Sequence, residues 1–127
     1  MSVLVDSSVW IAYFRGAGDP DLVECLIDEN LVVTNDLILA ELIPPLHLRN
    51  QKRLIGLLKE IKRFPFAIDW DDIVRMQITC LRAGINGVGI PDLIIAQHAI
   101  RNRLLLCSLD AHFRAMSRHL PLSLYEG

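Results

Sequence analysis

The chain has 127 residues, of which 52% are apolar, and a formal net charge of −2. One domain of this size can bury a full hydrophobic core without disulfide or metal cross-links. The nearly neutral charge argues against a protein that grips nucleic acid mainly by bulk electrostatic attraction. No secretory signal is visible, and no apolar run approaches the ~20 residues of a membrane span. We therefore expect a single cytoplasmic domain over residues 1–127.

Short apolar runs alternate with amphipathic segments along the whole chain. The predicted strands are residues 2–5, 31–34, 66–68, 104–107 and 122–125. The predicted helices are residues 9–14, 19–29, 37–43, 47–63 and 69–83, a helix that opens at Asp92, and residues 111–117. This alternation predicts a three-layer α/β/α domain with a mainly parallel central sheet.

Helix ends are marked by capping residues and by proline. The predicted caps are Asp19, then Asn35 or Asp36, then Asp69 or Asp71. The helix over residues 37–43 is expected to end at Pro44 and Pro45, because proline lacks the backbone N–H that a helix needs.

Cysteine and histidine give no sign of a metal site. Cys25, Cys80 and Cys107 are widely spaced and lie in apolar patterns, so we interpret them as small buried side chains in a reducing compartment. The four histidines show no metal-type pairing, and we expect them to serve packing. They are His47, His98, His112 and His119.

Four acidic residues differ from the other acids because they lie at predicted strand ends or on inward helix stripes. They are Asp6, Glu41, Asp92 and Asp110. An Asp before a helix often serves only as a cap, and Glu41 could instead snorkel to solvent or join a salt bridge, so these alternatives stay open for each residue alone. Carboxylates held close together repel one another unless a cation compensates. Oxygen ligands in this number suit Mg²⁺ or Mn²⁺.

Four motifs carry a resemblance to a known family. They are D-S-S-V-W-I at residues 6–11, A-E-L at 40–42, I-P-D-L-I-I-A-Q-H-A at 90–99 and S-L-D-A-H-F at 108–113. In order and spacing they resemble the PIN domain, and within it the small VapC-type toxins of toxin–antitoxin pairs. The resemblance implies an endoribonuclease that binds Mg²⁺ or Mn²⁺ through Asp6, Glu41, Asp92 and Asp110. It also implies a cognate antitoxin, a homodimer, and contact with DNA only through the antitoxin.

The same resemblance assigns roles to individual residues. Asp6, Asp92 and Asp110 are expected as direct metal ligands, and Glu41 as a ligand or a residue that positions water. Ser8 matches a small hydroxyl residue of the family, and Ser108 stands where threonine is more usual; both are expected to orient carboxylates. His112 stands where some relatives carry a further acid. The implied reaction is metal-assisted phosphodiester hydrolysis with 5′-phosphate and 3′-hydroxyl products.

Two surface features have more than one interpretation. Basic residues cluster around one predicted helix, and such a face is more often solvated surface than an RNA site; they are Arg49, Lys52, Arg53, Lys59, Lys62 and Arg63. Trp10, Tyr13 and Phe14 are interpreted first as core. The resemblance adds the hypothesis that antitoxin helices wrap this region and reach the acidic pocket with a basic side chain.

Other functions fit the sequence less well. A receiver domain needs paired acids after its first strand and a late lysine, but two serines follow Asp6 and no lysine follows Lys62. Flap-type DNA nucleases related to the PIN domain usually carry additional helical arches and more acids. The main alternative is a catalytically weak PIN-fold partner that binds and modulates a DNA-binding antitoxin. The presence of all four acids favours the nuclease.

Overall fold

The central sheet of the computed structural model, which describes residues 1–126, has four parallel strands. They are β1 (Val3–Val5), β2 (Val32–Thr34), β3 (Lys62–Arg63) and β4 (Leu105–Cys107). Their order across the sheet is β3-β2-β1-β4. Val5 lies opposite Cys107 in the parallel pairing of β1 with β4. The residues that follow these two strands therefore leave the sheet side by side at its carboxyl edge.

Helices connect the strands and cover the sheet. Within residues 1–126 they are α1 (Ser7–Phe14), α2 (Pro20–Asp28), α3 (Asp36–Leu48), α4 (Lys52–Glu60), α5 (Trp70–Arg82), α6 (Ile90–Arg101) and α7 (Ala111–Ser117). All three residues of β1 are fully buried, which requires cover on both faces of the sheet. The predicted α/β/α architecture with a parallel sheet is confirmed.

Three predicted caps are found, and the structure decides between the alternatives. The side chain of Asp19 accepts a hydrogen bond from the Asp21 N–H at the start of α2. Asn35 caps α3 through Ile38, and Asp69 caps α5 through the N–H of residue 72. These bonds satisfy backbone donors that the first turn of a helix otherwise leaves unpaired.

The predicted end of α3 at its two prolines is wrong, since the helix runs on to Leu48. Pro44 and Pro45 remove the hydrogen bonds that the carbonyls of Ala40 and Glu41 would accept. All four of these residues are exposed, so water can replace the missing donors. The cost of proline is therefore smaller here than it would be on the buried side of the helix.

The segment from residue 47 to residue 68 also departs from the prediction. The expected helix over residues 47–63 is interrupted at Asn50, whose φ is 57°, and α4 ends before the sheet. Lys62 and Arg63 form the edge strand β3, whereas the predicted strand over residues 66–68 is irregular. Because β3 is short, exposed and charged, it lacks the apolar pattern by which a strand is recognised.

Two smaller predictions are corrected, one about the last strand and one about a cysteine. The expected strand over residues 122–125 amounts to one bridge between Leu106 and Leu124. Cys80 and Cys107 are buried as predicted, but Cys25 is exposed, because α2 buries its other side through Val23 and Leu26.

No helix within residues 1–126 is long and apolar enough to cross a lipid bilayer.

The glutamine and histidine of the 90–99 motif have packing roles in α6. Two hydrogen bonds join the side chain of Gln97 to the backbone of Asp69. The N–H of Asp69 donates to Oε1 at 3.2 Å, and Nε2 donates to the carbonyl oxygen of Asp69 at 3.0 Å. Buried His98 lies 3.0 Å from the amide nitrogen of Asn35 and 3.3 Å from the carbonyl oxygen of Pro65. These contacts fix α6, and with it Asp92, against the neighbouring segments.

Candidate functional site

Asp6 lies at the carboxyl edge of the sheet, directly after β1, and is only 5% exposed. Its backbone N–H donates to the carbonyl of Cys107 at 2.9 Å, which extends the pairing of β1 with β4. Although Asp6 is the N-cap residue of α1, its side chain makes no capping hydrogen bond. Its Oδ2 atom instead accepts bonds from Ser8 at 2.9 Å and Ser108 at 2.8 Å. The capping alternative therefore does not hold for this side chain.

The two serines tie Asp6 to the loop that follows β4. The Ser8 hydroxyl oxygen also accepts from the N–H of Leu109 at 3.0 Å, and that of Ser108 accepts from the N–H of Asp110 at 3.0 Å. With each hydroxyl hydrogen directed at Asp6, the 3.3 Å approach of the two oxygens needs no hydrogen of its own. Both hydroxyls thus bridge two parts of the site, as side chains that orient carboxylates would.

Asp110 is the N-cap of α7, and here the capping alternative holds. Its Oδ1 atom accepts from the N–H of His112 at 2.9 Å and lies 3.3 Å from the Nδ1 atom of the same residue. Capping occupies one carboxylate oxygen and leaves the other available to a ligand. Asp110 can therefore serve as a cap and as a site residue together.

Asp92 lies in the first turn of α6, over the N-cap residue Gly89. Burial raises the pKa of its carboxyl, and the charges of Asp110 and Asp6 raise it further, whereas the backbone of Gly89 and the charge of His112 act to lower it. Burial is the largest of these influences, and the two neighbouring negative charges add to it.

Glu41 completes the group from α3. Partial burial raises the pKa of its carboxyl, and the charges of Asp6 and Asp92 add to this effect. Residue 41 as a whole is exposed, so the prediction that it faces inward is wrong; it lies at the rim. No ion pair reaches it from any part of the chain that the structure describes, so the salt-bridge alternative does not hold either.

Three of these groups could hold a metal ion. Asp92, Asp110 and His112 each offer a ligand atom, and these atoms lie within 4.8 Å of one another. We expected His112 to serve packing, although it stands where some relatives carry a further acid, so the sequence did not assign it as a ligand. Its signal was its place two residues after Asp110 in the first turn of a helix. Gly87, whose φ of 78° favours glycine, lies beside this ring, and a Cβ at residue 87 would make only an ordinary contact of 3.5 Å with Nε2.

A family model of the PIN domain matches residues 3–119 of the chain. The chain belongs to the PIN-domain family. No curated protein matches it by sequence.

Solved structures resemble this PIN domain over nearly its full length. VapBC2 from Rickettsia felis, bound to a DNA fragment from its promoter, has a TM-score of 0.76 and 20% identity, over 98% of this chain and 98% of that chain. DNA-bound VapBC from Salmonella typhimurium has a TM-score of 0.75 and 16% identity, over 98% of this chain and 97% of that chain. FitAcB from Neisseria gonorrhoeae has a TM-score of 0.73 and 18% identity, over 98% and 96%. At these identities the likeness establishes the fold.

Cys107 borders the acidic group but is not a nucleophile. Burial raises the pKa of its thiol to about 11, and the charge of Asp6 contributes in the same direction. The Cys107 thiol is therefore protonated at neutral pH, and only a thiolate attacks readily.

The PIN domain also carries an apolar groove of about 400 Å³ on another surface, between α1 and α4. Trp10 at its base is buried, as predicted for core, whereas Tyr13 and Phe14 are only half-buried and line the groove. Leu57 stands exposed in the opposite wall. The aromatic residues therefore belong partly to the core and partly to an accessible surface.

Proposed function

We propose that this PIN domain is a metal-dependent endoribonuclease and the toxin component of a type II toxin–antitoxin pair. The proposal rests on one observation, the convergence of four carboxylates at the carboxyl edge of the sheet. The four are Asp6, Glu41, Asp92 and Asp110. No lysine or arginine within residues 1–126 forms an ion pair with any of them. PIN domains are generally nucleases, and such a cluster is the site that phosphodiester hydrolysis needs.

A hard divalent cation fits this arrangement. Asp6, Asp92 and Asp110 would hold it through oxygen, with His112 as an additional nitrogen ligand and Glu41 as a ligand or a residue that positions water. When bound, Mg²⁺ or Mn²⁺ lowers the pKa of water and offsets the negative charge of the phosphodiester. The fit is supported by the raised pKa of the Asp92 and Glu41 carboxyls: burial and then neighbouring negative charges disfavour their charged forms, and a bound cation would favour those forms.

The chain's own residues prepare the site for that chemistry. Ser8 and Ser108 donate hydrogen bonds to Asp6 and so fix the orientation of its carboxylate. Glu41 lies at the rim, where the substrate would enter, and its raised pKa makes it a candidate to accept a proton from the attacking water. RNA would be cut to 5′-phosphate and 3′-hydroxyl ends, in the cytoplasm.

A cognate antitoxin is the second part of the proposal. The groove lined by Tyr13, Phe14 and Leu57 offers apolar surface that a partner helix could cover. The likeness to toxin–antitoxin complexes supports this partner. We propose that the protein forms a homodimer and contacts DNA only through the antitoxin. Trp10, which packs against the groove, should change its fluorescence when the antitoxin binds.

The proposal is tested by mapping new RNA 5′ ends in a bacterial host after brief induction. The wild type is compared with Asp92→Asn and with Asp21→Asn. Asp21 is a matched control, because it lies in the same tripeptide P-D-L at the start of α2 but is exposed and away from the acids. Ends produced by the wild type and Asp21→Asn, and absent with Asp92→Asn, would support the nuclease. Identical maps from three folded proteins would favour the weak partner that only modulates an antitoxin.

A further inference from the structure

A second pocket, of about 310 Å³, adjoins the acidic site at the carboxyl edge of the sheet. Its walls are the loop after β4, the start of α7, and the segment that pairs with β4 through the parallel bridge between Leu106 and Leu124. Because that pairing is parallel, Tyr125 leaves the sheet at the same edge as the acids. Ser108 and Asp110 line this pocket and also belong to the acidic site. The pocket is therefore continuous with the proposed cleavage site.

The walls of this pocket are apolar, and one of them carries an aromatic ring. Leu106 and Phe113 line it and are buried, whereas Leu109 is 62% exposed at its mouth. Tyr125 is half-buried and also lines it. Within residues 1–126, no aromatic or cationic side chain stacks on the Tyr125 ring. The pocket thus offers a flat apolar ring to a ligand.

Arg114 adds a positive charge to the same pocket. It is the one lysine or arginine among the lining residues that the structure describes. Its guanidinium lies 3.5 Å from the carboxylate of Glu126, and the two side chains are 61% and 68% exposed. An exposed ion pair of this kind is weak and is screened by salt. Arg114 can therefore exchange this partner for an anionic group of a ligand.

We propose that this pocket receives an unpaired base of the RNA substrate, from a nucleotide next to the scissile phosphate. Tyr125 stacks on the base, and Arg114 binds a phosphate beside it. This role rests on the ribonuclease function proposed above and names the kind of RNA that the site accepts. A base inside a duplex is paired and stacked and cannot enter a pocket, whereas a base in a loop or a single strand can be splayed out onto an aromatic side chain. The enzyme should therefore cut single-stranded RNA.

A nucleotide fits this pocket better than a protein segment does. The faces of a base are apolar, and its phosphate carries the negative charge that Arg114 attracts. An apolar segment of a partner protein would match the walls but would bring nothing to the guanidinium. The shared residue Asp110 also places the pocket beside the group that acts on RNA, which favours the substrate over an unrelated ligand.

The base contact is tested by the affinity for a labelled single-stranded RNA of about ten nucleotides, measured by fluorescence anisotropy with Mn²⁺. All proteins carry Asp92→Asn, so that the RNA stays intact. Adding Tyr125→Leu keeps apolar bulk without a ring and should weaken binding about 10-fold, as the loss of one stacked base does. Tyr125→Phe keeps the ring and should bind like the parent protein. Tyr13→Leu, at the other tyrosine of the chain, is the control and should also bind normally.

A duplex RNA of the same length separates base stacking from other effects of the substitution. Its bases cannot enter the pocket, so Tyr125→Leu should leave its affinity unchanged. Circular dichroism checks that each variant is folded. An equal loss of affinity for duplex and single strand would show that the ring acts on the surface as a whole and does not hold a base.

The phosphate contact is tested by the salt dependence of single-strand binding. Arg114→Ala should reduce the slope of log affinity against log salt by about 0.7, which corresponds to one phosphate contact on a single strand. Arg118→Ala is the control, because Arg118 follows α7, is exposed and does not line the pocket. Equal slopes for the two variants would remove Arg114 from the proposed contact.

Cleavage gives the decisive comparison, in proteins that keep Asp92. The substrate is an RNA whose cut position has been mapped, with the base removed from the nucleotide on one side of the cut or the other. The wild type should cut one of these abasic RNAs about 10-fold more slowly than the intact RNA. Tyr125→Leu should cut both of them and the intact RNA at the same rate, because it has no stacking left to lose.

Several results would overturn this assignment of the pocket. They are single-strand affinity that Tyr125→Leu does not change, equal losses for single strand and duplex, or a Tyr125→Leu protein that still responds to removal of the base. The affinity measurements need no cleavage. A wild type that binds RNA through Tyr125 but never cuts it would contradict the ribonuclease and leave the base pocket standing.

Discussion

The two sides of the acidic site are held in different ways. On the side of the sheet, Asp6 is buried and its carboxylate accepts hydrogen bonds from Ser8 and Ser108. On the helix side, Asp92 and Glu41 are more exposed than Asp6, and partial burial together with negative neighbours raises the pKa of both carboxyls. Hydroxyl donors hold the Asp6 carboxylate, whereas no lysine or arginine in the described part of the chain pairs with the carboxyls of Asp92 and Glu41.

This difference indicates which carboxylates depend on an added cation. A carboxylate held by serine hydroxyls has a fixed orientation and gives a fixed reference point. Carboxylates that only repel one another lower the stability of the folded protein until a cation offsets the repulsion. The Asp6 side is therefore expected to contribute to folding and function, and the Asp92 side to function at the expense of stability.

The largest expected effects separate the two sides by substituting one residue from each. Asp6→Asn and Asp92→Asn should both lower RNA cleavage by about 100-fold or more, as loss of a metal ligand does. Asp6→Asn should also destabilise the fold by about 1–3 kcal/mol, since it replaces a buried acceptor of two hydrogen bonds. Asp92→Asn should be at least as stable as the wild type. Urea unfolding measures this, and equal losses of stability would contradict the comparison.

Divalent metal should stabilise the protein through the proposed site. At a Mn²⁺ concentration of about 100 times its dissociation constant, the free energy of unfolding should rise by about 2.7 kcal/mol. Thermal melts with and without Mn²⁺ measure this rise in the wild type, in Asp92→Asn and in the control Asp21→Asn. A rise in Asp92→Asn as large as in the other two would show that the ion binds elsewhere.

Removal of one serine should have a smaller effect. Ser108→Ala removes the shortest of the hydroxyl hydrogen bonds to Asp6 and should cost about 1 kcal/mol of stability. Cleavage should fall about 10-fold, because the carboxylate loses part of its fixed orientation. Ser117→Ala is the control, since Ser117 bonds only within α7. Equal cleavage by the two alanine variants would remove Ser108 from the site.

The smallest expected effect is on the pH dependence of stability without divalent metal. Folding raises the pKa of Glu41 and Asp92, so the folded chain binds their protons more tightly than the unfolded chain. The loss of folding stability caused by these two charged carboxyls is complete above the folded pKa values and fades as pH falls through them. It is absent below the unfolded pKa values of about 4. Glu41→Gln should therefore be slightly more stable than the wild type at pH 7, with no difference at low pH. Denaturant unfolding at both pH values checks this, and the opposite order would contradict the assigned repulsion.

Much of the sheet and the position of the acids could be predicted from the sequence. The apolar run before Asp6 and the run before Asp110 are short, buried and followed by polar residues, which marks the carboxyl edge of a parallel sheet. The edge strand at Lys62 gave no such signal, because an exposed strand needs no apolar residues. The continuation of α3 through Pro44 depends on solvent at two carbonyls, which only the fold determines.

Less of the site than of the fold could be predicted from the sequence. The contact of His112 with Asp110 depends on the first turn of α7, which spacing alone does not reveal. The exposure of Glu41 also depends on tertiary packing. A residue at the edge of an apolar helix stripe can be buried or exposed, and the sequence does not say which edge the rest of the protein covers. Local pattern placed the acids near the edge of the sheet, and packing decided how each is held.

The most direct test is the cleavage of a single-stranded RNA by the purified protein, with and without Mn²⁺. Wild type, Asp92→Asn and Asp21→Asn are compared at equal concentration after each is shown to be folded. The proposed site predicts Mn²⁺-dependent cleavage by the wild type and Asp21→Asn, and a loss of about 100-fold or more in Asp92→Asn. Equal cleavage by all three proteins, or cleavage that does not need a divalent metal, would contradict it.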